Sequence, residues 1–226
     1  MSATTTIDRR EPVTEPTGTA AALPSPVASW VARQATWKAW VVSAIVYAVC
    51  AAAFFASTAP FAIPRVEALC GEPPLDMRIA SSAGEVHGFL TSCGATGREA
   101  YRALQLADLV YPLVFAVFLA TSLALVLSRL APSRPRLLIV AALPFLASAF
   151  DYLENAFAWR ALAAFPEATS TDGLLGWASL AKTATSWLAG GILMAALAAL
   201  LVASARRWWA WGRHHLDVRS RNGLEQ

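Results

Sequence analysis

Four apolar runs, each about as long as a bilayer core is thick, constrain this chain more than any other feature. They lie near 39–59, 106–127, 137–157 and 183–203 of 226 residues. Crossing the ~30 Å hydrocarbon layer takes ~20 helical residues. Composition agrees, with 57% of residues hydrophobic and 15% charged, where a soluble domain carries about 25% charged residues. The sequence predicts an all-α fold: an integral membrane four-helix bundle over 30–211, with little soluble mass.

Basic residues indicate orientation, because they are retained on the cytoplasmic side. The N-terminal tail, the link at 129–136 and the C-terminal tail hold 12 basic and 5 acidic residues. The other two loops, with their helix ends, hold 6 basic and 10 acidic residues. Both termini are therefore expected in the cytoplasm of a multi-pass cell-membrane protein. The basic balance suits anionic lipid headgroups as partners, and no nucleic acid is needed to explain it. Residues 1–29, with few large apolar side chains, cannot bury enough surface to fold and are expected to be a disordered tail. The first apolar run starts too late and runs too long for a cleaved signal peptide. Residues 212–226 form a basic cytoplasmic tail. Trp208, Trp209 and Trp211 beside Arg206 and Arg207 mark a headgroup-level anchor, as Trp37, Lys38 and Trp40 do before the first span.

The first extracytoplasmic loop, 60–105, is long. Cys70 and Cys93 both fall in it, on the oxidising side, and are expected to pair. Cys50 lies mid-helix as a small apolar filler. Thr96 and Glu99 have capping-box spacing, so the second helix is expected to start there and run unbroken past Asp108 and Tyr111, with a kink at Pro112. Alanines 44, 48, 52 and 56 on the first helix, and Gly191, Ala195, Ala199 and Ala203 on the fourth, form small-residue ridges. Such ridges allow close helix approach, and the two helices are expected to pack together.

Within the third run stand Asp151, Glu154 and Asn155, spaced to share one helix face. Charges at membrane depth are costly and persist where they pair or do chemistry. Asp151 follows Arg136 by 15 residues, so it lies roughly 22 Å from the inner boundary. Similar counting brings Asp108, Tyr111 and Lys182 to the outer half. Asp108, Tyr111, Asp151, Glu154, Asn155 and Lys182 are thus the candidate ligand-binding residues, and Asp108, Asp151 and Glu154 the candidates for catalysis.

Three uses fit such a cluster. The simplest is a polar plug holding helices together. The second is an outer-leaflet cavity for a small lipid-like or isoprenoid-like molecule, where carboxylates bind an amine or divide acid and base roles. The third is proton- or cation-coupled transport, disfavoured because no ionisable residue continues through the inner half. No metal is expected, since His87 is the only histidine on that side and zinc favours histidine-rich sets. No phosphate-cradling glycine loop, Cys-x-x-Cys or Gly-x-Ser-x-Gly occurs. No cofactor is expected, and whether the chain is an enzyme stays open.

Gly97-Arg98-Glu99-Ala100-Tyr101, then Asp108, Tyr111-Pro112 and Asp151-x-x-Glu154-Asn155, resemble an uncharacterised set of bacterial four-helix integral membrane proteins over about 96–186. That resemblance implies the fold and brings no activity with it. Four helices with inward acids are similar in architecture alone to the emopamil-binding and sigma-2 receptor superfamily.

Overall fold

The computed structural model describes residues 33 and 35–222, without the side chains of 210 and 212–222. The expected tail 1–29 lies outside the described residues. No strand occurs among them. Four helical stretches are long and apolar enough to cross a membrane: Trp37–Phe55, Gly94–Leu130, Pro135–Ala164 and Asp172–Trp209.

Helix α1 (Trp37–Phe55) starts where the Thr36 hydroxyl accepts the Ala39 N–H at 3.1 Å, relieving one of the unpaired amides of a first turn. Helices α2 (Ile63–Cys70), α3 (Ala83–Ser92) and α4 (Gly94–Ala107) fold over one end of the bundle as a cap. A short 3₁₀ turn, Leu75–Met77, joins α2 to α3. Gly71, at φ +78°, closes α2 in the left-handed conformation that glycine adopts without strain. Val66, Val86, Phe89, Tyr101 and Leu104 form the cap's core, and Leu162 and Leu175 join it from the bundle. Cys70 and Cys93 are bonded, S–S 2.07 Å, as expected.

Helix α5 (Tyr111–Leu130) and helix α6 (Leu143–Ala164), the latter preceded by a 3₁₀ stretch at Pro135–Ala142, are antiparallel neighbours. Helix α7 (Asp172–Asn222) packs mainly on α6 and also on α5. Its backbone carries helix through most of the expected basic tail.

Four expectations are corrected. The capping box belongs to Ser82 and Glu85 at the start of α3; Thr96 and Glu99 lie inside α4. The second helix is broken at 108–110, and Pro112 stands in the first turn of α5, where its missing N–H has no helical partner to lose. The first helix ends at Phe55 rather than near 59. Finally, α1 packs on α5, not on α7. Ser43 and Thr121 hydroxyls meet at 2.8 Å, Trp40 Nε1 donates to Ser122 at 3.0 Å, and Tyr47 stacks on Phe118 at 4.8 Å. The alanine and glycine ridges turn outward instead: Ala48, Ala52, Gly191, Ala195 and Ala199 are exposed.

The surface pattern is that of a membrane protein. Val42, Ile45, Val49, Leu113, Trp187, Leu188 and Met194 are exposed, whereas Gln105, Glu154, Asn155 and Ser179 are buried. Water would reject that arrangement, since exposed apolar area is unfavourable and buried polar groups need partners. A bilayer accepts it.

Candidate functional site

Lys182, on α7, lies at the centre of the polar cluster. Its ammonium is 3.2 Å from Asp151 Oδ1, ion-paired with Glu154 Oε2, and donates to the Asp76 carbonyl oxygen at 2.9 Å. One side chain thus joins α6, α7 and the 3₁₀ turn of the cap. An ammonium has three N–H donors, and three acceptors occupy it. Asp151 Oδ1 and Glu154 Oε2 have no partner except this ammonium. Ser179, one turn before Lys182 and fully buried, donates to Glu154 Oε1. Asp151, Glu154 and Lys182 are therefore brought together.

Asn155 and Asp108 form the adjoining half. Asn155 Nδ2 donates to Asp108 Oδ2 at 2.8 Å and reaches the Asp108 carbonyl at 3.5 Å. Two further α6 side chains act on the same broken segment. Tyr152 donates to the Leu109 carbonyl at 3.0 Å and Ser148 to the Pro112 carbonyl at 2.7 Å. Positions 148, 152 and 155 share one face of α6. They supply hydrogen bonds that the interrupted helix cannot, which is how irregular backbone is tolerated at membrane depth. Tyr111 does not join the charged groups. It packs among Phe54, Tyr47 and Phe115, with ring centroids at 5.0, 6.3 and 6.4 Å.

A cleft of about 200 Å³ opens beside the cluster between α5, α6 and α7. Asp151 and Lys182 are its charged lining. Tyr111, Phe115 and Trp187 form aromatic walls, with Ser148, Thr183 and Ser186 between. Trp187 is 71% exposed, so the mouth faces whatever surrounds the bundle. Arg98 and Arg102, the basic side chains of α4, are engaged elsewhere. Arg98 donates to the Leu90 carbonyl at 2.8 Å and lies over the Phe165 ring, and Arg102 pairs with Glu99 at 3.2 Å.

Two participants carry weak or no signal in the sequence. Ser179 stands one turn before Lys182, a spacing that identifies a shared face. Asp76 sits in a proline-bounded loop and nothing in the sequence singles it out. Burial pushes its carboxyl above the ordinary range, and the pull of the Lys182 ammonium in the other direction does not overcome that. Its Oδ1 is sequestered without a hydrogen-bond partner.

Comparison of the chain with protein-family models, with curated proteins and with solved structures finds no match in any of the three.

Proposed function

We propose that this is a multi-pass protein of the cell membrane, with both termini in the cytoplasm, that binds a small amphiphile with a cationic headgroup from the outer leaflet. The headgroup enters the α5–α6–α7 cleft and is anchored by Asp151, while the apolar tail stays in lipid. One observation carries this reading: the charged wall of the cleft is an ammonium whose three donors are occupied, beside a carboxylate with one oxygen left to accept. An anionic headgroup would find no donor on Lys182. A cationic or hydrogen-bond-donating one finds Asp151, and the flanking Tyr111, Phe115 and Trp187 rings favour a cation. At about 200 Å³ the cleft suits a headgroup better than a whole drug-sized molecule. The topology rests on the charge asymmetry of the loops and on the disulfide, which oxidising compartments favour.

The test is a thermal shift in detergent with dodecylamine, dodecanol and dodecyl sulfate. A ligand that binds only the folded state at 100 times its dissociation constant adds about 2.7 kcal/mol of stability. Dodecylamine should raise the melting temperature of the wild type, and the other two should not. Asp151→Asn keeps the shape of the site and should lose that rise. Equal shifts with the amine in both proteins would overturn a carboxylate-anchored ligand, leaving the cluster as a brace between helices.

A further inference from the structure

A groove of about 570 Å³ runs between α1 and α5 and shares no lining residue with the amphiphile cleft. That volume lies within the range of about 300–1,000 Å³ typical of ligand sites. Its α1 wall is built from Lys38, Val42 and Val46, one turn apart on one face of the helix. Its α5 wall is built from Leu113, Val117 and Thr121, spaced in the same way. Val46 follows Lys38 by eight residues, so the groove runs for roughly 12 Å along the helices. The Trp40–Ser122, Ser43–Thr121 and Tyr47–Phe118 contacts hold α1 on α5 along this length, so the groove is built into the pairing.

Polarity within the groove is confined to one end. Val42, Val46, Leu113 and Val117 are exposed along its walls. The Ser43 and Thr121 hydroxyls beneath them are buried and already engaged, with each other at 2.8 Å and with the Trp40 and Val117 carbonyls at 2.9 Å. Lys38 differs. It is exposed, and its ammonium has no hydrogen bond or ion pair among the described residues. No acidic residue lines the groove. Trp37 and Trp40 stack at 4.8 Å at the same end, as side chains at headgroup level do. Because Trp40 meets Ser122 and Tyr47 meets Phe118, α1 and α5 run antiparallel and Lys38 lies toward the Arg129 end of α5. The charge asymmetry of the loops assigns that side to the cytoplasm, where the leaflet surface is negative.

We propose that this groove is a binding site for one anionic phospholipid of the cytoplasmic leaflet, its phosphate-bearing headgroup on Lys38 and one acyl chain laid along Val42, Val46, Leu113 and Val117. Lipid tails are as apolar as the groove, so its walls position the chain without distinguishing one lipid from another. Discrimination falls to the single unengaged charge. A second copy of the chain fits this face less well. A two-fold axis along the membrane normal would bring its own Lys38 to the same depth, like charge against like. The site stands apart from the amphiphile reading, since it lies at the other end of the bundle and does not use Asp151.

The experiment is native mass spectrometry of the purified full chain, with phosphatidylglycerol and phosphatidylcholine of identical chains added to the detergent. Wild type should retain one phosphatidylglycerol per chain, preferred over phosphatidylcholine by about fivefold, the contribution of one lysine near an anionic lipid. Lys38→Gln should abolish the preference. Val46→Trp, which fills the groove and keeps the charge, should lose the bound lipid. Arg136→Gln, on the same side but outside the groove, should behave as wild type. Asp151→Asn should retain the lipid while failing the amine test, so the two readings fail separately. Wild type that retains no lipid, or both lipids equally, would overturn the site. So would an undiminished preference in Lys38→Gln or undiminished binding in Val46→Trp. A loss in Arg136→Gln equal to that in Lys38→Gln would reduce the effect to general basic attraction and overturn it too. A wild-type dimer that Val46→Trp dissociates would give the groove to a second copy instead.

Discussion

Lys182 and Asp76 illustrate opposite electrostatic situations at neighbouring positions. Removing Lys182 leaves Asp151 and Glu154 without a counter-charge, and breaking a buried pair from one side costs about 3–5 kcal/mol. Lys182→Met should therefore unfold at markedly lower denaturant or temperature, and Lys182→Met combined with Glu154→Gln should recover part of the loss. A melting temperature unchanged in the single variant would show that the ion pairs carry no stability. Asp76 works the other way. Its carboxyl titrates above the ordinary value of 3.8 because burial disfavours the charged form. The folded state thus holds this proton more tightly than the unfolded state does. The stability it contributes is complete below 3.8 and is lost as pH rises through the folded-state value. Asp76→Asn should flatten that decline and melt higher than wild type at neutral pH. A steeper decline in the variant would reverse the sign of the argument. The sequence made Asp151, Glu154 and Lys182 legible because charge inside an apolar run has few explanations. Asp76 was not legible, because an aspartate in a proline-rich loop is ordinarily solvated, and only the fold of the cap over the bundle buries it.

The cap illustrates what spacing can and cannot predict about elements. Cys70 closes α2 and Cys93 sits between α3 and α4, so their bond joins the cap's helices across 22 intervening residues. Closing such a loop is worth about 3 kcal/mol, chiefly by restricting the unfolded chain. Gly97 packs against the bridge, where an added Cβ would meet Cys93 Cβ at 2.9 Å and Cys70 Sγ at 3.1 Å. Cys70→Ser with Cys93→Ser should lower the melting temperature by several degrees, and dithiothreitol should do the same to wild type alone. Wild type indifferent to reductant would remove the bridge from the list of stabilising features. The pairing was readable from two thiols in one extracytoplasmic loop. The break at 108–110 was not, because the residues around it keep a helical pattern on both sides. What permits the break lies on another helix: Ser148, Tyr152 and Asn155 of α6 satisfy the Pro112, Leu109 and Asp108 carbonyls. The misplaced capping box has a similar cause. Thr96–Glu99 and Ser82–Glu85 share the same spacing, and the tertiary course of the chain decides which pair stands at a helix start.

At the scale of the whole molecule, an apolar exterior encloses a polar cluster beneath the cap, and the position of that cluster depends on which way the bundle crosses the membrane. Exposed Val42, Ile45, Val49 and Leu188 need lipid, while Glu154, Asn155 and Gln105 need the shelter of α4, α6 and α7. The ridges on α1 and α7 were readable as patterns but not as contacts, because small residues signal close approach only where another helix arrives, and α1 is held on α5 by hydroxyl and aromatic contacts. Orientation is a separate question from packing. The link between α5 and α6 carries Arg134 and Arg136, whereas the link between α6 and α7 carries Glu167. Retention of basic residues in the cytoplasm would leave Glu167, the disulfide cap and the mouth of the cleft outside. Ser133 and Glu167 are both exposed, so a single cysteine at either position reports its side of the membrane, with Cys50 replaced by alanine. A membrane-impermeant maleimide should label Glu167→Cys in intact cells and Ser133→Cys only after lysis. The reverse pattern would place the acidic cluster near the cytoplasmic leaflet and exclude an outer-leaflet ligand. It would also put Cys70 and Cys93 in a reducing compartment, where a structural disulfide would not persist.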